Sequence, residues 1–147
     1  MRISRKAEYA LRAMVAMARG PQWIQIQELS RREKIPVKFL EQIMLTLRHG
    51  GLLTSKRGVG GGYTLRRKPS EVSLADVIAI VDGPLAPVPC AAVQPVEQCT
   101  CPDPTSCPIR LAMIDVRKEI ATALGRRTIE DIVRLTPDPA KTLAFEI

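Results

Sequence analysis

Residues 26–65, IQELSRREKIPVKFLEQIMLTLRHGGLLTSKRGVGGGYTL, constrain this chain more than any other stretch. Their structural signals follow one another with almost no slack. Gln27 to Glu33 reads as a short helix that turns Leu29 inward. Lys34-Ile35-Pro36 forms the turn, and Pro36 suits the first position of the next helix, where a missing N–H costs nothing. Val37 to His49 sets Leu40, Ile43, Met44 and Leu47 on one face at helical spacing. Gly50-Gly51 ends that helix. Leu52 to Ser55 and Gly62 to Leu65 then read as two short strands around a basic, glycine-rich tip. The order is that of a helix-turn-helix followed by a wing.

Charge supports a polyanion partner for this half. Residues 1–69 hold 15 Lys/Arg against 4 Asp/Glu, and residues 70–147 hold 7 against 11. An even solubilising surface would not split in this way. On the second helix Lys38, Glu41, Gln42 and Leu45 lie away from the apolar face. Gln can bond an adenine edge in two places, Glu can accept from cytosine N4, and Lys38 suits a guanine or a phosphate. Lys56 and Arg57 sit on the tip, and an arginine on a thin glycine hairpin can enter a minor groove. A nucleotide-phosphate loop is a poor rival, because no Gly-Lys-Ser/Thr ends the tip and no helix starts there.

The flanks are mainly helical. Ile3 to Arg19 is a first helix with Ala7, Ala10, Leu11, Met14 and Ala18 on one face. Glu8 is its one acidic residue, with Arg5 and Arg12 placed to pair with it. Trp23 to Ile26 suggests a short strand beside the wing. Ser70 to Val81 contains a further helix, capped by Ser73 with Asp76, and Leu74, Val77, Ile78 and Val81 form its buried face. Ile109 to Leu124 repeats Ile109, Met113, Val116, Ile120 and Leu124 with near-heptad spacing, as a helix does that pairs with its twin in a dimer. Thr128 caps a last short helix, Ile129 to Leu135, with Asp131 as its partner. The tail from Pro137 onward reads as extended or loose.

Between residues 84 and 108 the periodicity disappears. Seven of the chain's twelve prolines fall there, and so do Cys90, Cys99, Cys101 and Cys107, all of its cysteines. A proline-stiffened loop of this length suggests function. No signal peptide is evident and no stretch approaches the roughly 20 apolar residues of a membrane-spanning helix. A cytoplasmic location with no membrane partner follows as the expectation. In a reducing cytoplasm four clustered cysteines are metal ligands or redox thiols rather than structural disulfides. An enzyme is not expected: His49, at the end of the second helix of the motif, is the one histidine, and no nucleophile–base pairing is visible.

The expected fold is therefore mainly α with a small β wing. A winged helix-turn-helix domain spans residues 1–83, a cysteine-rich ligand loop 84–108, a dimerisation helix and closing helix 109–136, and a tail 137–147. MRISRKAEYALRAMVAMA at the start, FLEQIMLTLRHGGLLTSKRGVGGGYTL in the middle and a cysteine loop before a dimer helix resemble the bacterial winged-helix repressor family that includes IscR, NsrR, RirA and CymR. The resemblance covers roughly residues 1–135 and is most specific at residues 39–42 and 57–63. It implies a homodimer joined through the penultimate helix, with Glu41 and Gln42 in the major groove of an operator and Arg57 in the minor groove.

Cluster-binding members of that family carry three loop cysteines, with five residues between the last two. Cys101 and Cys107 reproduce that gap, Cys90 would be the first ligand, and Cys99 is extra. The resemblance also implies that a carboxylate at the position of Glu8, from the partner subunit, can complete the site. Thiolates in a flexible loop suit an iron–sulfur cluster, 2Fe–2S or 4Fe–4S, and with it a redox, iron or nitric-oxide sensor. The alternatives are a structural zinc site, for which C-x8-C-x-C-x5-C lacks the usual paired knuckles, a thiol–disulfide switch, and a regulator controlled by a protein partner.

Overall fold

In a computed structural model, which describes residues 2–93, 99–135 and 137, the chain is mainly helical with one two-stranded sheet. Helix α1 (Arg5–Arg19) begins two residues later than the sequence pattern suggests. Ser4 caps it, its Oγ accepting from the Ala7 N–H at 2.9 Å. The same serine donates its own N–H to Asp82 at 3.1 Å. Ala7, Ala10, Ala13, Met14 and Met17 are buried along α1, while Leu11 and Ala18 are half-buried at its margin. Its small residues allow other helices to approach closely.

Helix α2 (Ile26–Glu33) and helix α3 (Val37–His49) form the helix-turn-helix. Lys34 closes α2 in the left-handed region, φ 53°. The Ile35 N–H bonds to Ser30 O at 3.1 Å, and the Ser30 hydroxyl returns a bond to Ile35 O at 2.5 Å. This reciprocal pair makes the turn without glycine. Pro36 lies one residue earlier than expected, as the N-cap of α3, whose first helical residue is Val37. Leu40, Ile43, Met44 and Leu47 are fully buried, as their spacing predicts. They join Met14, Leu29, Ile35 and Leu53 in one core.

The wing is strand β1 (Leu53–Lys56) paired antiparallel with β2 (Gly62–Leu65), Leu53 facing Leu65 and Lys56 facing Gly62. The first strand is shifted by one residue from Leu52–Ser55, because Leu52 is sealed beneath the end of α3 by its bond to Leu47 O. Trp23 to Ile26 contributes a single bridge: Ile24 and Tyr63 exchange both backbone bonds, at 3.0 and 2.8 Å. Gly62 permits it, since its φ is 134° and a Cβ there would lie 2.3 Å from Ile24 O.

Helix α4 (Leu74–Asp82) carries the expected capping box, with Ser73 Oγ accepting from the Asp76 N–H at 3.1 Å and Asp76 accepting from the Ser73 N–H at 2.8 Å. Val77 and Ile78 are buried, and Leu74 and Val81 are half-buried. The following loop is not wholly irregular: Pro89–Ala91 forms one tight helical turn that buries Ala91. Helix α5 (Pro108–Gly125) then runs for 18 residues without burying any of them. Helix α6 (Ile129–Leu135) has its Thr128–Asp131 box, at 2.9 and 3.1 Å. It returns Ile129 to the core of the first domain, through an antiparallel bridge between Ser73 and Thr128. Apart from Pro137, which is exposed, the tail expectation falls on residues outside those described.

Candidate nucleic-acid interface and cysteine site

On α3 the buried face fixes the opposite one. Lys38, Glu41, Gln42 and Leu45 are all exposed, on one side of a helix whose other side is core. Phe39 is 39% exposed at the edge of that face and packs edge-on against Tyr9, ring centroids 5.7 Å apart at 80°. The guanidinium of Arg5 lies 5.8 Å from the Tyr9 ring and that of Arg12 lies 5.3 Å from it. Such contacts contribute about 0.5–1 kcal/mol at exposed sites. Both cations lie on α1 with Tyr9, and the Tyr9–Phe39 contact joins α1 to the start of α3. The sequence reading missed Tyr9 and Phe39. The signal was there: Phe39 is a large apolar residue off the apolar face of α3.

The wing is tied to the same surface. Arg48 Nη1 donates to Ser55 Oγ at 2.9 Å, linking the end of α3 to β1. Lys56 lies 5.9 Å above the Trp23 ring, and Arg57 is exposed at the tip. Between the amino end of α2 and the wing is a cavity of about 320 Å³ lined by Gln25, Gln27, Arg48, Lys56 and Arg57 among others. Cations and amide donors therefore line the groove beside the wing, one of the two elements expected to approach a duplex.

The cysteines come together from three segments. Cys90, Cys99, Cys101 and Cys107 line one cavity of about 400 Å³, with Pro89, Ile109 and Arg110. Cys90 is held in the tight turn, and Cys107 is the N-cap of α5. Cys107 Sγ is 4.0 Å from Cys101 Sγ, and the Cys101 N–H points at Cys99 Sγ at 3.4 Å. That N–H is the main reason the Cys99 thiol titrates below its ordinary range, with the Cys101 side chain next. The Cys101 thiol is pushed up to about 12 by the neighbouring Cys99 side chain first and by Cys107 second. Thiols in contact resist losing more than one proton without a cation between them.

Asp103 shapes the spacer between the last two cysteines. It accepts from the Thr105 N–H at 3.0 Å, from the Thr105 hydroxyl at 2.6 Å and from the Ser106 hydroxyl. Those donors, Ser106 first, hold its carboxyl down at about 2. The fold therefore presets the Cys101–Cys107 turn.

The donor set, four thiols around one open cavity, fits an iron–sulfur cluster. Among the described residues, no three Cys, His, Asp or Glu side chains are grouped as tightly as one metal ion requires. Glu8 lies outside this cavity in its own chain. Its side chain is 47% exposed and 4.0 Å from Arg12. Arg12 is held closer by Glu33, at 3.4 Å, and also donates to Glu33 O. Arg5 lies over Tyr9.

With this geometry in hand, comparison with known proteins is decisive. The family Rrf2, described as an iron-dependent transcriptional regulator, matches residues 3–135. The chain belongs to the Rrf2 family. An rrf2-like HTH-type transcriptional regulator of Rhodobacter capsulatus is 36% identical to it, over 96% of this chain and 98% of the relative. The HTH-type transcriptional regulator IscR of Xenorhabdus nematophila is 33% identical, over 91% of this chain and 80% of the relative. Among solved structures, CymR, the global cysteine regulator of Bacillus subtilis, superposes with a TM-score of 0.75 at 28% identity, covering 93% of this chain and 99% of that one. This Rrf2 chain is a helix-turn-helix transcriptional regulator, and its relatives are named as regulators rather than enzymes. No helix among the described residues is long and apolar enough to cross a membrane.

Proposed function

We propose that this Rrf2-family chain is a homodimeric, sequence-specific repressor, acting in the cytoplasm, whose operator binding is controlled by an iron–sulfur cluster. The observation that carries the reading is the convergence of Cys90, Cys99, Cys101 and Cys107 on one cavity. The iron dependence in the family's description supports it. Cys101 and Cys107 are assigned as ligands, with Cys90, Cys99 or Glu8 of the partner subunit completing the set. The weak hold of Arg12 on Glu8 leaves that carboxylate available. When bound, the cluster supplies reversible redox chemistry and a centre open to oxygen or nitric oxide.

The chain's own residues divide the remaining work. Lys38, Glu41 and Gln42 read base edges in the major groove, Arg57 enters the minor groove and Lys56 holds phosphate. The uncovered apolar face of α5 pairs with its twin. Half-sites lie about 34 Å apart, so a small rotation of the two recognition helices breaks simultaneous docking. The loop holds the leverage, since Cys107 caps α5 directly.

The deciding experiment is purification without oxygen, followed by a visible spectrum and assays for iron, acid-labile sulfide and zinc. Colour with iron and sulfide in similar amounts is the expected result. A colourless protein that stays iron-free after reconstitution overturns the cluster and leaves the DNA-binding assignment standing. Cys107→Ala should abolish both the colour and the response of operator binding to signal.

One distance favours a second reading. The 4.0 Å between Cys101 and Cys107 Sγ is non-bonded contact, about 2 Å longer than an S–S bond, and Staphylococcus aureus CymR, 26% identical with a TM-score of 0.71, has been solved in an oxidized form. In a thiol switch one S–S bond forms here. A peroxide takes the two electrons and both thiol protons and leaves as water. A metal-free protein with a peroxide-dependent, dithiothreitol-reversible operator affinity would establish that reading instead.

A further inference from the structure

Arg110 stands out beside the thiols. It belongs to the first turn of α5, three residues after Cys107. Its Nε donates to the backbone O of Cys90 at 3.0 Å. Among the described residues it is also the one charged side chain lining the cavity of the four thiols. Cys90 is the thiol farthest from the others in sequence, at the near end of the loop, and Cys107 is at the far end. The guanidinium therefore spans the loop's two ends and faces the space between them. Arginine suits both tasks, because its charge is permanent and its planar fork can keep one bond while the rest of the group faces elsewhere.

We infer that Arg110 is the positioning and counter-charge residue of the cysteine site: it latches the Cys90 turn onto α5 and offsets the negative charge of a thiolate-bound iron–sulfur group. The inference rests on the cluster reading above and adds a cation to its ligand set. A cluster held by several thiolates carries net negative charge, and potentials respond to charge and hydrogen bonding nearby. Uptake of one electron adds one more negative charge beside Arg110, with no bond made or broken. A fixed cation there favours the reduced form, so removing it must move the midpoint potential to a more negative value. The latch has a separate consequence. Without it the Cys90 turn loses its tie to α5, and the group escapes faster when exposed to air.

The test uses the full-length protein, reconstituted without oxygen, with Arg110→Gln and Arg110→Lys beside the wild type. Iron and sulfide are assayed first. Midpoint potential is then measured by titration with dithionite, which supplies the electron, and bleaching in air is timed. Circular dichroism and sedimentation serve as controls for folding and assembly. Arg110→Gln should assemble the group, titrate at a more negative potential and bleach several-fold faster. Arg110→Lys, keeping the charge, should restore the potential. An unchanged potential in Arg110→Gln, with iron and sulfide at wild-type levels, overturns the inference and leaves the cluster reading intact. A wild type that takes up no iron and sulfide overturns the cluster reading, and the role of Arg110 falls with it.

Discussion

The helix-turn-helix with its wing and helix α5 are built on opposite principles. In the first, α3 buries four large apolar residues completely and exposes polar ones opposite. In the second, none of 18 helical residues is fully buried, and Ile109, Leu111 and Val116 are 63, 52 and 42% exposed. The first unit covers most of its own apolar surface, Phe39, Leu45 and Val59 excepted. The second leaves several of its apolar side chains uncovered within this chain. A reader of DNA needs a rigid face, and a joint needs a surface that finds its partner. The difference locates rigidity and adaptability in separate halves of a small protein.

Four substitutions probe that contrast. Leu47→Ala removes a fully buried side chain from the core and should cost about 2–5 kcal/mol in denaturant unfolding. A cost under about 1 kcal/mol would mean that α3 is not the keystone. Val116→Asp should leave the winged unit folded, by circular dichroism, yet weaken self-association by about 2 kcal/mol or more in sedimentation equilibrium. A dimer of unchanged affinity would remove α5 from the interface. Arg57→Ala is expected to lose about 1–3 kcal/mol of operator binding and to relax preference at the minor-groove position, measured by fluorescence anisotropy against altered sites. Wild-type affinity and preference would refute the role of the tip. The smallest effect belongs to Thr128→Ala, which deletes the hydroxyl that accepts from the Asp131 N–H and should lower stability by about 1 kcal/mol in thermal melts.

The sequence made the local grammar readable. Ser73 and Thr128 announced their helices because capping needs a side-chain oxygen three residues from its partner. The α3 face was legible because every fully buried residue in it follows helical spacing. What stayed hidden depends on tertiary approach. Nothing in the serine at position 4 foretold its bond to Asp82, across a separation of 78 residues. Pro36 is the N-cap of α3 rather than its first helical residue, and Lys34 closes α2 in a left-handed turn that no glycine or asparagine advertised. The gathering of four cysteines was suggested by their clustering alone, whereas the Arg110 bond to Cys90 arises only when α5 docks beside the loop.

The bridge between Ser73 and Thr128 has one more consequence. Leu74 N–H bonds to Arg127 O and Ile129 N–H to Val72 O, both at 2.8 Å, so the ends of the stretch from α4 through α5 are stitched together, and what lies beyond α4, whose own Val77 is in the core, is an excursion. Closing such an excursion costs chain entropy, but the cost grows only with the logarithm of length, about 0.6 kcal/mol for each doubling. The first domain is therefore nearly indifferent to how long the excursion is. Residues can be added between Cys90 and Cys101 without disturbing the domain that reads DNA, and that tolerance allows the loop to change its chemistry while the rest of the chain keeps its shape.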